Sequence, residues 1–283
     1  LQKFALSLLS LCFLSPTFAY GHNQISAIYD DNQRMDLNAV QDANILKLAE
    51  STVAMFKAGE LVLHGNVYGF DKTTMEKNLK LCPKQEFGDQ PSAADCSGVL
   101  VGEDKLYTAG HCVTNRTCAH VAFAFGYANL STIFSPDALP ASEVYFCKEV
   151  IARSNTDNLD YAIIRLDRPV TNHVPVKIAR ERVQPGQRVF LLSHPGGAPL
   201  KYSPPAEVIS STANHFTAGM SALGGSSGGG VFLESTHELV GILVSGEDDY
   251  VHDRQKRCRR VHVCAHGGKC KGEESTHVDV ITE

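Results

Sequence analysis

From residue 51 onwards the chain is a succession of short apolar runs parted by clusters of Gly, Pro, Asn and Asp. The runs cover residues 52–56, 98–101, 105–108, 121–125, 144–151, 161–166, 174–178, 188–192, 206–210, 231–233 and 239–244. Runs of this length bounded by turn residues predict β-strands. No helix long enough for a βαβ crossover separates them, so an all-β sandwich or pair of barrels is predicted. Upstream, residues 37–50 place Val40, Ile45, Leu46, Leu48 and Ala49 as one short amphipathic helix would. Residues 275–283 read as a short terminal helix or a frayed tail. Asp167-Arg168-Pro169 and Asn172 interrupt the strand pattern and mark a crossing between an amino-terminal half, residues 51–170, and a carboxy-terminal half, residues 171–283.

The first 19 residues break the pattern differently. Lys3, an apolar run over 4–14, a Ser15-Pro16 break and Thr17-Phe18-Ala19 have the three-part layout of a secretory signal, too short to span a bilayer. Residues 20–50 are then an amino-terminal arm or propeptide. Export and loss of the signal predict no membrane association and leave eight of the nine cysteines, an even number that reads as disulfides. Cys96 and Cys112 flank the strand pair over 97–102 and 105–109, so a bridge between them would clamp the turn that ends at His111. Cys118 and Cys147 sit at two β-rich runs and can pair across neighbouring strands. The pairing among Cys82, Cys258, Cys264 and Cys270 stays open.

Charge and composition narrow the function classes. A net charge of −5 argues against a nucleic-acid binder. The absence of tryptophan leaves the core to Val, Ile, Leu and Phe. Cys258, His262, Cys264, His266 and Cys270 offer soft ligands, but the spacing lacks a Cys-x-x-Cys knuckle and an exported chain favours oxidation, so neither a metal nor a cofactor is expected. Arg254, Lys256, Arg257, Arg259 and Arg260 read as a solvated basic loop.

The candidate chemistry centres on Leu223-Gly224-Gly225-Ser226-Ser227-Gly228-Gly229-Gly230-Val231. A serine among glycines can occupy a sharp bend where backbone N–H groups converge. Ser227 fits Gly-x-Ser-Gly-Gly, with Gly225 before it and Gly228 and Gly229 after it; Ser226 does not. A serine hydroxyl needs an adjacent base to attack at neutral pH. Leu106-Tyr107-Thr108-Ala109-Gly110-His111-Cys112 puts a histidine just past an apolar strand, and Asp160 leads directly into the strand 161–166, whereas Asp157 and Asp167 lie in turns at its ends. The order His, Asp, Ser is one of the known orders of this constellation. His194, in Ser193-His194-Pro195-Gly196-Gly197, reads as structural.

Thr108-Ala109-Gly110-His111-Cys112, Asp160-Tyr161-Ala162-Ile163-Ile164-Arg165-Leu166 and Gly225-Ser226-Ser227-Gly228-Gly229 together resemble the trypsin-like serine peptidases of the chymotrypsin fold, most of all the secreted bacterial branch that includes the glutamyl endopeptidases. Ile28-Tyr29-Asp30-Asp31-Asn32-Gln33-Arg34 resembles the mature start of that branch. The resemblance implies two six-stranded antiparallel β-barrels with the active site in the cleft between them, a Cys96–Cys112 disulfide, Ser227 as nucleophile, His111 as general base and then acid, and Asp160 as the carboxylate that orients the imidazole. Gly225 and Ser227 would supply the oxyanion-hole N–H groups.

By the family's offsets the base of the primary pocket falls near Ser221, where trypsin has an aspartate. Leu243 stands where glutamyl endopeptidases carry a histidine, so a small or apolar substrate side chain is expected. Ser226 replaces the aspartate that animal trypsins pair with a freed amino terminus. The expected protein is a secreted, monomeric serine endopeptidase that acts on protein or peptide substrates without a cofactor. The competing readings are a non-catalytic binding protein on the same fold and a serine esterase.

Overall fold

The computed structural model describes residues 32–130, 138–264 and 270–283. The expected signal segment and the start of the 28–34 stretch lie outside the described residues.

Six strands close the first barrel: β1 (Thr52–Lys57), β2 (Cys96–Leu100), β3 (Lys105–Thr108), β4 (Val121–Ala124), β5 (Val144–Thr156) and β6 (Leu159–Leu166). All neighbours are antiparallel, in the cyclic order β1-β2-β3-β6-β5-β4. Side chains alternate between the faces of a strand, so each run divides between two cores. Val53 and Met55 of β1 fill the barrel with Leu100, Leu106, Phe123, Ala162 and Ile164. Ala54 and Phe56, one residue out of step, pack outside it with Ala122, Ala124, Tyr127 and Leu139. Both faces of β1 are covered, which is why its sequence is continuously apolar rather than alternating.

The second barrel is built from β7 (Arg188–Ser193), β8 (Lys201–Ser211), β9 (His215–Ala218), β10 (Gly230–Leu233), β11 (Leu239–Ser245) and β12 (Glu273–His277). It closes as β7-β8-β9-β12-β11-β10, the same strand order as the first, with the two-residue strand Met35–Asp36 added against β8. Val189, Leu191, Phe216, Val231 and Val240 fill it. Their neighbours Phe190, Leu192, Phe232 and Ile242 face the other way and meet Val99, Ala109, Tyr161 and Ile163 of the first barrel in a shared apolar layer. Phe190 and Phe232 stack there with centroids 5.4 Å apart, and full burial of each ring contributes about 2–3 kcal/mol.

Three expectations need correction. Residues 174–178 are not a strand: Pro175 cannot donate to a ladder, Val174 is exposed, and Ile178 makes only an isolated bridge to Leu239. Residues 275–283 are not a helix or a loose tail. Ser275, Thr276 and His277 are fully buried in β12, where their polarity conceals a strand that closes the second barrel, and only Val278–Val280 form a 3-10 turn. The helix over 37–50 is shorter than its apolar pattern. A 3-10 turn, Leu37–Ala39, precedes α1 (Ala43–Ala49), which starts where the Asp42 carboxylate accepts from Asn44 N–H at 2.8 Å.

Four disulfides join Cys96 to Cys112, Cys118 to Cys147, Cys82 to Cys258, and Cys264 to Cys270. Cys258 lies in a hairpin, Tyr250–Asp253 paired with Cys258–Val261, that carries the basic run. No helix among the described residues is long and apolar enough to cross a membrane.

Candidate active site

His111 sits just beyond β3, in a turn that only glycine at position 110 permits. A methyl group there would overlap the Ser154 carbonyl oxygen and lie 2.6 Å from that of Tyr161. The Arg153 guanidinium braces the turn from outside, its Nε donating to the carbonyls of Gly110 at 2.6 Å and Val113 at 2.8 Å. The Cys96–Cys112 bridge ties the residue after His111 back to the head of β2.

Asp160, the second residue of β6, meets His111 twice. Its Oδ1 accepts the His111 backbone N–H at 3.1 Å and its Oδ2 lies 2.6 Å from the ring Nδ1. A carboxylate in that position holds the proton on Nδ1 and leaves Nε2 as a free acceptor. The Asp160 side chain is only 16% exposed and that of His111 38%, so the acid is shielded while the imidazole edge faces solvent. Across the barrel junction the Thr276 hydroxyl of β12 donates to the Asp160 carbonyl at 2.7 Å. Asp167, in contrast, is occupied with the Phe146 N–H and Arg168.

The glycine-rich turn between β9 and β10 lies on the same elements. Ser97 N–H donates to the Ser227 carbonyl at 2.8 Å, and Cys112 Sγ is 3.8 Å from that oxygen. A Cβ on Gly228, whose φ is +83°, would lie 2.9 Å from Ala109 N, so Ser227 is lodged against the segment that delivers His111. Gly225 has φ +95°, and a methyl there would be 2.6 Å from the His194 carbonyl oxygen. The N–H groups of Gly224, Ser226, Gly228 and Gly229 donate to Asp249 Oδ2 and to the carbonyls of Leu223, Leu243 and Ser226. Those of Gly225 and Ser227 meet no acceptor among the described residues. Ser226 is fully buried and takes a hydrogen bond from the Ser193 hydroxyl at 3.1 Å, while Ser227 is partly exposed.

Several contributors escaped the sequence reading. Ser97 is completely buried; its hydroxyl donates to the Gly225 carbonyl at 2.9 Å and accepts from His194 N–H at 2.9 Å, so it sets the orientation of the turn's backbone. A small polar residue inside the apolar run over 96–101 was the available signal. Thr276 and Arg153 carried none, since both act across strands far apart in sequence. His194 is buried, stacks on Tyr127 and faces the Ala198 carbonyl through Nδ1 at 3.0 Å; burial pushes its pKa down to about 3, so it stays neutral. Ser221 and Leu243 are both buried, Leu243 among the second barrel's core residues. Among the described residues, the histidine–cysteine groups with metal-ligand proximity, Cys96/His111/Cys112 and His262/Cys264/Cys270, have their sulfurs bound in disulfides.

Solved structures share the fold, two of which are compared with this chain. A Glu endopeptidase structure aligns over 89% of this chain and 93% of its own at 15% identity, with a TM-score of 0.52. The VesB protease of Vibrio cholerae aligns over 86% of this chain and 64% of its own at 16% identity, with a TM-score of 0.51. No curated protein matches the sequence. The family model for the trypsin-like peptidase domain matches residues 96–242, which include the His111 turn, Asp160 and the Ser227 turn. Since that match takes in more than half of the chain, the protein belongs to the trypsin-like peptidases.

Proposed function

We propose that this peptidase is a secreted serine endopeptidase in which Ser227 attacks the substrate carbonyl, His111 accepts the serine proton and returns it to the leaving amine, and Asp160 steadies the imidazole. An acyl-enzyme forms on Ser227 and is hydrolysed by water activated through the same histidine. The N–H groups of Gly225 and Ser227 receive the oxyanion, and loss of such a donor costs on the order of a hundredfold in rate. The observation that carries this reading is the double hold of Asp160 on His111, beside a serine turn whose two outward N–H groups have no internal acceptor. Residues 51–170 and 171–283 act as the two halves of the enzyme, residues 1–19 as its export signal and 20–50 as an arm or propeptide. Four disulfides support an extracellular destination.

The test is covalent. A fluorophosphonate probe labels Ser227, and the Ser227→Ala variant takes no label and loses peptide hydrolysis. Retained hydrolysis in that variant refutes the assignment. Parallel peptide and ester panels separate an endopeptidase, which turns over internal peptide bonds, from an esterase, which does not.

A further inference from the structure

The charges of this chain are unevenly placed. Its net charge is −5, yet six exposed cations, Lys80, Lys84, Arg254, Lys256, Arg257 and Arg260, gather on two segments that are distant in sequence. One is the hairpin of Tyr250–Asp253 paired with Cys258–Val261, and the other is the loop over residues 79–85. The Cys82–Cys258 disulfide joins them across a sequence separation of 176. Arg259 N–H donates to the Lys80 carbonyl and Cys82 N–H to that of Arg259, both at 2.8 Å, and the Arg259 guanidinium donates to the Leu79 carbonyl at 2.6 Å. Arg259 is thus spent on holding the two segments together, while the six others stay in solvent.

Among the described residues, Arg260 alone of the six has an ion pair, a loose one at 3.9 Å to Asp253. That carboxylate is already committed to the hairpin turn, where its Oδ1 accepts the N–H groups of Gln255 at 3.1 Å and Lys256 at 3.0 Å. The acids at the root of the hairpin do not neutralise the patch either. Asp249 accepts the Gly224 N–H at 2.7 Å, and Glu273, beside Gly246, is 6% exposed with no cation among the charges that act on it. Five non-glycine residues among those described have positive φ, and three of them are Lys80 at 54°, Lys84 at 68° and Arg257 at 55°. A Cβ makes that conformation unfavourable, so the backbone is constrained where these charges are displayed. Like charges crowded on one face repel one another until a partner brings the counter-charge. Val251, paired with Arg260, and Val263 are 46% and 49% exposed and add apolar contact area beside the cations.

The hairpin is rooted at the candidate active site, because Asp249, the residue before it, holds the N–H of Gly224, three residues ahead of Ser227. Four residues of chain run from Asp249 to Asp253 at the turn, roughly 13 Å at about 3.3 Å per residue, a span that an extended polypeptide covers with about four residues. We infer that this hairpin, together with Lys80 and Lys84, is a second substrate-binding surface that captures an acidic stretch of a protein substrate about four or more residues away from the bond being cut. This deepens the serine endopeptidase reading and rests on it. A short acidic segment meets the patch alone, whereas an anionic bilayer or a long polyanion also faces the negative remainder of the molecule.

The test separates capture from hydrolysis. A fluorescein-labelled peptide of about ten residues rich in glutamate, and its glutamine counterpart, are titrated with the Ser227→Ala protein in about 0.05 M and about 0.5 M sodium chloride, with fluorescence anisotropy as the readout. An exposed ion pair strengthens binding by a factor of about two, so four of them make the glutamate peptide bind roughly tenfold more tightly at the lower salt, and screening removes most of that advantage at the higher. Charge reversal at the turn, Arg254→Glu with Lys256→Glu and Arg257→Glu, abolishes the advantage. Lys80→Gln with Lys84→Gln, on the other side of the disulfide, reduces it, which guards against a folding defect in the first variant. With the active protein, an acidic run placed about four to eight residues from the scissile bond of a peptide substrate lowers KM by a similar factor and leaves kcat alone. Equal binding of the two peptides, an advantage that survives both sets of substitutions, a preference for heparin or phosphatidylserine vesicles over the glutamate peptide, or capture without an effect on KM each overturns the inference. Fluorophosphonate labelling is indifferent to distant acidic residues. A protein that labels at Ser227 yet does not discriminate between the peptides refutes the surface assignment alone, whereas one that binds the glutamate peptide but never labels refutes the serine mechanism.

Discussion

The burial of Glu273 has a consequence for stability that can be measured apart from catalysis. In the folded chain its pKa is raised from 4.5 to about 8, through desolvation first and then through Asp249. A raised folded-state pKa means that the protonated form is favoured by folding. The associated stability is fully present below about pH 4.5, declines as the pH rises, and is lost once the pH passes about 8. At 1.36 kcal/mol for each pKa unit, the loss is on the order of 5 kcal/mol, spread at about 1.4 kcal/mol per pH unit between roughly pH 5 and 7.5. Glu273→Gln keeps the shape and hydrogen-bonding capacity and removes the titration. The variant therefore gains on the parent by that amount between pH 4.5 and 8.5. Urea unfolding at half-unit pH steps, in a Ser227→Ala background that prevents self-digestion, gives the difference, with all titrations common to both proteins cancelling. Far-UV circular dichroism and tyrosine emission serve as probes, since the chain has nine tyrosines and no tryptophan. A difference that stays constant within about 0.5 kcal/mol over this range refutes the claim that Glu273 is buried without compensation.

Three other substitutions test the framework around the site. Asp160→Asn removes the carboxylate that holds the Nδ1 proton and lowers kcat by about ten-thousandfold with little change in KM, as steady-state kinetics will show; a loss under tenfold contradicts the role given to the 2.6 Å contact. Gly110→Ala drives a methyl group into the backbone oxygens of Ser154 and Tyr161 and destabilises the fold by about 3 kcal/mol, which calorimetry reads as a melting temperature lower by about 6–12 °C. Replacing Cys118 and Cys147 by alanine frees a loop closed by a sequence separation of 29 residues and lowers unfolding free energy by about 4 kcal/mol, seen as a shifted urea midpoint.

What could be read from sequence followed the physics that each position obeys. β1, β3, β4, β6, β7, β10 and β11 carry continuous or alternating apolar residues because their faces meet hydrophobic layers, and all of them were visible as runs. β12 was invisible because its buried positions are Glu, Ser, Thr and His, whose polarity gives no apolar run. Residues 174–178 misled in the opposite sense, since Val-Pro-Val-Lys-Ile has the composition of a strand but lacks the donor at Pro175. The three motifs that bear chemistry were legible because tight turns demand glycine at fixed offsets, as Gly110, Gly225 and Gly228 do. The supports of those turns were not. Ser97 and Thr276 act on carbonyls 128 and 116 residues away, and only a folded chain brings such pairs together. Glu273-Glu274 fell outside every predicted run, and nothing local distinguished the buried acid from its neighbour.

The bond from Thr276 to Asp160 also bears on when the junction between the two barrels can form. Any amino-terminal fragment that stops short of Glu273 has the histidine, the aspartate and the serine, yet has an open second barrel and no brace on the Asp160 backbone. Assembly of this junction thus waits for the strand Glu273–His277 to be delivered, and a chain synthesised only as far as the serine turn has the three motifs without the strand that braces them.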